Sequence, residues 1–169
     1  MLLCAASGQK AVFLGQGVRG GTTMSESFKY VPDQLKLEMP VAENLQMGMA
    51  TGMALGGYLP ICVFPRFNFL LLAADQLVNH LDRLPLYSDG GYRPRVIIRT
   101  AVPSSYPFNP GPQHDDDFTS PFESMLRTVN VVRLNHAESI IPAYEKALKS
   151  DHSTLLVEYT EFYRDQRAK

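Results

Sequence analysis

The fold class this sequence predicts is a single-domain three-layer αβα sandwich on a mostly parallel sheet. Three observations carry it. Short apolar, β-rich runs alternate with helical patterns along the chain. Val96-Ile97-Ile98 is continuous rather than alternating, which suits a strand covered on both faces. A chain of 169 residues is one domain with room for a sizeable core.

The elements follow in order. Residues 1–10 are mixed and hold at most one helical turn. Residues 11–14 form a short apolar strand that runs into the glycine-rich loop 15–21. Residues 22–34 carry Pro32 and few apolar positions, so they read as loop with a turn of helix. Residues 35–41 form the second strand and 43–56 a glycine-rich helix. Residues 59–64 form a third strand, with Pro65 just past its end. Residues 68–82 form an amphipathic helix whose inner face is Leu71, Leu72, Leu77, Val78 and Leu81, with Asn68 able to cap it. A strand follows at 95–102. Residues 103–118 form a long loop with Pro103, Pro107, Pro110 and Pro112, and loops of that length in compact domains are usually functional or mobile. A short helix at 121–127 and a strand at 129–134 come next. A helix then runs to 149, capped by Asn135 or Ser139, with Pro142 obscuring its start. Residues 154–159 are the last strand.

The helix at 43–56 organises the chain. Glu43 stands at its head, and no charged residue follows until Arg66. A helix apolar all round is expected to be buried on every side. Gly48, Gly52 and Gly56 recur every four residues and share one face. Each costs the helix roughly 1 kcal/mol against Ala, so a second backbone should approach that face. Two-fold contacts dominate homo-oligomers, so the expected neighbour is the same helix of a second copy. Glu43 is either a helix-terminal carboxylate or a working group, and taken alone the first reading is favoured.

Bulk properties bound the function. Charged residues make up 20% of the chain and the net charge is −1. No basic stripe forms, so nucleic acid is not an expected partner. Cys4 and Cys62 are far apart and match no metal spacing, so they read as free thiols of a reducing compartment. Met1-Leu2-Leu3-Cys4-Ala5 has no basic leader and too short an apolar run for a signal segment. The apolar run 69–74 cannot span a bilayer. The expectation is a cytoplasmic protein with no membrane partner.

Two motifs have bland competitors. Gly15-Gln16-Gly17-Val18-Arg19-Gly20 after a strand, with Glu38 downstream, fits a dinucleotide fingerprint. That fingerprint needs a helix directly after the glycines, and residues 22–32 make a poor one. His114-Asp115-Asp116-Asp117 could bind a metal, but adjacent loop residues rarely converge on one ion. A solvated acidic loop is the plainer reading, and no metal site is expected. His80, His136 and His152 receive no role.

Glu43, Gly48, Met49, Gly52 and Met53, at their spacing, resemble the signature of the pyrimidine-binding domain of thiamine-diphosphate enzymes. Residues 57–64, Phe67-Asn68-Phe69, Asp75-Gln76, Asn79, Gly90-Gly91 and Gln113-His114 are similar to the beta subunit of 2-oxo acid dehydrogenases, of the pyruvate dehydrogenase type. The central domain of transketolase is the other near likeness. The resemblance runs from about residue 11 to residue 163 and implies the thiamine-diphosphate-binding fold in its pyrimidine-module form.

The resemblance further implies site residues. Glu43 would hydrogen-bond the aminopyrimidine ring of thiamine diphosphate and favour the imino tautomer that deprotonates the thiazolium carbon. Phe69 would stack on the aminopyrimidine, and Phe67 is left to the core. His114 would stand at the mouth of the active site near substrate. The implied chemistry is 2-oxo acid decarboxylation or ketol transfer.

The chain also departs from that pattern. It has no Gly-Asp-Gly motif for the diphosphate and Mg2+, so residues 1–169 are expected to be the pyrimidine-binding domain alone, without a diphosphate-binding or C-terminal domain. The partner would be a diphosphate-binding alpha-type subunit that holds the Mg2+, together with a homodimer contact through Gly48, Gly52 and Gly56. Gln16 stands where the beta subunits carry an acid linked to communication between paired sites. Two alternatives remain open: a catalytically silent interaction module of the same fold, and a dinucleotide-binding oxidoreductase.

Overall fold

The computed structural model describes residues 1–20, 26–104 and 110–164. The loop expectations at 21–25 and 105–109 lie outside the described residues. The elements are α1 (Leu2–Ala5), β1 (Ala11–Gly15), β2 (Lys36–Glu38), α2 (Glu43–Leu55), β3 (Leu59–Phe64), α3 (Phe67–Leu71), α4 (Leu84–Tyr87), β4 (Ile97–Val102), α5 (Thr119–Met125), β5 (Asn130–Leu134), α6 (Ala137–Lys149) and β6 (Thr154–Tyr159). A 3-10 turn, Asp33–Leu35, leads into β2, and a π-helical stretch, Gln76–Leu81, lies between α3 and α4.

The six strands form one sheet in the order β2-β1-β3-β4-β6-β5, and every neighbouring pair is parallel. Alternate residues along each strand feed two cores, because successive side chains point to opposite faces. Leu14, Cys62, Phe64, Ile98, Leu155 and Val157 face one core, which α2, α3, the π stretch and α5 cover. Phe13, Ile61, Val63, Ile97 and Leu156 face the other, covered by α1, α6 and the segment around Phe28. The αβα sandwich is therefore present, and the sheet is wholly parallel.

Four local expectations are corrected. The second strand shrinks to Lys36–Glu38. The amphipathic helix at 68–82 is broken: Ala73 N–H bonds to Leu70 O, and Asp82 N–H reaches five residues back to Leu77 O. This re-phases the inner face to Leu70, Ala73, Leu77 and Leu81, and leaves Leu72 63% exposed with Leu71 also outward. Asn68 caps nothing; its Nδ2 donates to Asp116 Oδ2 at 3.0 Å. Helix α6 begins at Ala137, with His136 before it and no side-chain cap, and Pro142 lies inside it rather than in its first turn.

Helix α2 is not buried all round. Glu43, Gln46, Met47, Ala50 and Thr51 face inward. Val41 just before it is 80% exposed, and Leu45, Gly52 and Leu55 are exposed along it. The three glycines also differ from one another. A Cβ on Gly48 would stand 3.3 Å from Gln76 Oε1 of the π stretch, one on Gly52 would meet nothing, and Gly56 closes the helix.

Candidate active site at the carboxyl edge of the sheet

Parallel α/β sheets bind ligands outside the carboxyl ends of their strands, where the strand order reverses. Here β1 connects outward to β2, while the chain after β2 returns to β3 on the other side of β1. The carboxyl ends of β1, β2, β3 and β4 carry Gln16, Glu43, Phe69 and His114 on the segments that follow them.

Gly15 ends β1. A Cβ there would lie 2.5 Å from the Val63 carbonyl oxygen, so only glycine lets β1 run this close to β3 at its end. The next residue, Gln16, donates from Nε2 to Glu43 Oε1 at 3.0 Å. Glu38, at the end of β2, accepts from the backbone N–H groups of Gly17 and of Arg19, the latter at 2.9 Å, and so fixes the turn that carries Gln16. Those are the amides a dinucleotide pyrophosphate would need, and no helix follows in residues 16–20. The turn is an internally satisfied loop.

Glu43 is the first residue of α2 and 5% exposed, with Ala42 before it and no side-chain cap hydrogen bond. It therefore does not serve as the cap. Three residues on and on the same face, Gln46 donates from Nε2 to the Val63 carbonyl at 2.9 Å and also reaches Cys62 Sγ at 3.3 Å. That tie seats the head of α2 on β3. Cys62 beside it is fully buried, which pushes its thiol up to about 12 against the opposing hydrogen bond from Gln46.

Phe69 lies in α3, directly after β3. The His114 ring meets it edge-on, with centroids 5.3 Å apart and planes at 68°. Phe67, 0% exposed, stacks on Phe122 and is crossed edge-on by Phe118, a core residue as expected. His114 Nδ1 and Asn68 Oδ1 are both buried with no hydrogen-bond partner. Such atoms cost free energy unless a water or another polar group satisfies them.

The acidic run after His114 does not converge on an ion. Asp116 accepts from Asn68. Asp117 accepts from the Thr119 backbone at 2.8 Å, from the Thr119 hydroxyl, and from Tyr159 Oη at 2.8 Å. Burial raises the Asp117 carboxyl, but those hydrogen bonds and Arg133 outweigh it and leave it below its ordinary value. These bonds pin the His114 loop to α5 and β6. Among the described residues no group of three His, Cys, Asp or Glu could hold a metal, and no helix is long and apolar enough to cross a membrane.

The structure thus brings Gln16 onto Glu43 and His114 onto Phe69, on segments that follow the carboxyl ends of β1 to β4. Sequence reasoning missed the roles of Gln46 and Asn68. Gln46 had a signal: it is an amide about one turn after Glu43 in a mostly apolar helix. It also missed the buried pair behind the sheet, where Arg99 donates twice to Glu158 at 2.8 Å and once to Ser27 Oγ at 2.6 Å, while Tyr144 Oη donates to Glu158 at 2.8 Å. Its signal was one charge in the middle of an apolar strand.

Comparison with known proteins adds to this geometry. The family model described as "Transketolase, pyrimidine binding domain" matches residues 2–165. The chain is 28% identical over 129 residues to the mitochondrial pyruvate dehydrogenase E1 component subunit beta of Chaetomium thermophilum, covering 75% of this chain and 32% of that protein. It is 30% identical over 129 residues to the chloroplastic subunit beta-3 of Oryza sativa subsp. japonica, again 75% and 32%. The chain spans about a third of the length of these relatives. Among solved structures, a split gene transketolase in an inactive beta4 tetramer aligns with a TM-score of 0.68 at 19% identity, covering 89% of this chain and 45% of that one. At that identity the likeness is one of fold.

Proposed function

The chain belongs to the transketolase pyrimidine-binding domain family, and from that premise we propose that it supplies the pyrimidine half of a thiamine-diphosphate site shared with a diphosphate-binding partner chain. The observation that carries this reading is the buried Glu43 at the head of α2, oriented by Gln16 and not used as a cap. Its Oε2 has no hydrogen-bond partner among the described residues. That oxygen is the one available to a pyrimidine ring nitrogen.

The residues present fit the group. Glu43 offers a carboxyl in a largely apolar setting, Phe69 a half-buried ring face, and His114 Nδ1 and Asn68 Oδ1 two unsatisfied polar atoms. When bound, thiamine diphosphate supplies a nucleophilic thiazolium carbon and an electron sink. Glu43 holds the proton shared with the ring nitrogen, and Gln16 keeps the carboxyl in place while it does so. Phe69 sets the plane of the ring, adding about 0.5–1.5 kcal/mol beyond burial. His114, held edge-on against Phe69, would stand beside the ring on the substrate side.

The substrate class is a 2-oxo acid, as the pyruvate dehydrogenase subunit relatives favour, with ketose transfer as the transketolase-like variant. Mg2+ is assigned to the partner chain, because in the family this chain resembles the diphosphate-binding domain carries the Gly-Asp-Gly motif for it. The open face of α2 around Gly52 is assigned to a second copy. The relatives are themselves named as subunits of a pyruvate dehydrogenase component, which favours dependence on other chains.

Titration calorimetry tests the reading. The chain alone binds thiamine diphosphate weakly or not at all at any Mg2+ concentration, because most of the cofactor's charge lies on the diphosphate. With a diphosphate-binding partner added, binding becomes tight and Mg2+-dependent. Tight Mg2+-dependent binding by the chain alone would sink it.

A further inference from the structure

At the opposite, amino-terminal edge of the sheet lies a cleft of about 360 Å3. Its walls include Lys10 before β1, Tyr58 and Gly57 between α2 and β3, and Arg93 and Arg95 before β4. Three cations meet there and no carboxylate lines the cleft. Among the described residues no ion pair neutralises Lys10, Arg93 or Arg95. Uncompensated like charges around one concavity repel each other and raise the local potential for an anion.

The hydrogen bonding around the cleft leaves cationic donors over, although Arg93 spends its Nε on Gly90 O at 3.3 Å. Arg95 Nη2 donates to Leu148 O at 2.8 Å, but its Nε is buried without a partner. In the last turn of α2 the carbonyls of Gly52, Ala54 and Met53 accept from the N–H groups of Gly56, Gly57 and Tyr58. Lys10 Nζ sits 5.8 Å from the Tyr58 ring centroid, so one wall combines a cation with an aromatic face. The volume falls in the range of small-molecule sites.

We infer that this cleft binds a small phosphorylated molecule, its phosphate held by Lys10, Arg93 and Arg95. The site is separate from the carboxyl-edge site and does not rest on the reading proposed for it. Tyr58 offers a stacking surface to a base or other flat group carried by the phosphate.

The test uses the full chain, followed by 1H–15N NMR, with pyrophosphate, AMP and adenosine as separate probes. Pyrophosphate and AMP are expected to give saturable shifts at Lys10, Gly57, Tyr58, Arg93 and the Arg95 side chain, with dissociation constants of about 1 mM or tighter. Lys10→Gln and Arg93→Gln should each weaken binding about 10-fold, the scale of one lost charge-assisted hydrogen bond. Lys29→Gln should leave it unchanged. Tighter binding of AMP than of pyrophosphate would support stacking on Tyr58, and equal binding a site for the phosphate alone. The proposal falls if neither anion saturates, if adenosine binds as well as AMP, or if Lys10→Gln and Arg93→Gln together leave affinity intact.

Discussion

Gln16 Nε2 donates to Glu43 Oε1 at 3.0 Å across 27 residues of sequence. An amide N–H can only donate, so this bond holds Glu43 by one oxygen. The 2.5 Å clearance at Gly15 and the two amides held by Glu38 set the turn that makes the bond possible.

Glu43→Gln keeps side-chain size and an oxygen for Gln16 while removing the titratable carboxyl group. In an assembly reconstituted with the proposed diphosphate-binding chain, turnover should fall about 100- to 10,000-fold, the range of general acid–base contributions. The melting temperature should barely move, since Glu43 caps nothing. Hydrogen–deuterium exchange at the thiazolium carbon separates the roles: equal rates in both proteins would leave Glu43 a purely structural residue.

Gln16→Glu sets two carboxyl groups at hydrogen-bond distance. Two such groups cannot both ionise cheaply, so the folded pair retains a proton that the unfolded chain releases in the ordinary carboxyl range. Retention of a proton by the folded state means that stability falls as pH rises above that range. Urea denaturation across mildly acidic to neutral pH should show this slope in Gln16→Glu and not in the unmodified chain. Parallel curves would refute it.

Arg99→Met leaves the Glu158 carboxylate buried, at 2% exposed, without its bidentate partner. Removing one member of such a pair costs about 3–5 kcal/mol, whereas replacing both by apolar groups is often neutral. Arg99→Met combined with Glu158→Leu should therefore recover much of the loss. The midpoint of urea unfolding checks both, and a single variant within about 1 kcal/mol of wild type would contradict the pairing.

Cys62, with its thiol pushed up to about 12 by burial, should resist iodoacetamide in the folded chain at about pH 8, as should the buried Cys4. Both should react once guanidinium unfolds the protein. The raised acid also has a sign for stability. The unfolded thiol ionises near pH 8.5 and the folded one does not, so stability declines as pH rises from there toward about 12. Labelling of Cys62 in the native chain at the rate of a free thiol would overturn this.

Much was legible in the sequence because it is local. The strands Leu59–Phe64 and Thr154–Tyr159 and the helix from Glu43 follow from short-range periodicity and begin where the pattern begins. The place of Glu43 at a helix head, and Phe67 as core beside a more exposed Phe69, could also be read from spacing and resemblance. The interior of residues 67–81 could not. A five-residue hydrogen bond at Asp82 shifts the phase of the helix, and Asp82 itself turns inward so that its Oδ1 gathers the N–H groups of Arg127, Thr128 and Val129.

The sequence by itself determined which residues alternate, which cluster at element ends, and which family pattern they resemble. Only the tertiary structure decided that Gln16 meets Glu43, that His114 lies on Phe69, and that Arg99 closes on Glu158 across 59 residues. The reason is physical. Periodicities of 2 and 3.6 encode neighbours along one element, whereas contacts between elements depend on strand order, register and the closure of each loop. Gly15 allows the close approach of β1 to β3, and β4 lies beside β6 although β5 precedes β6 in the chain.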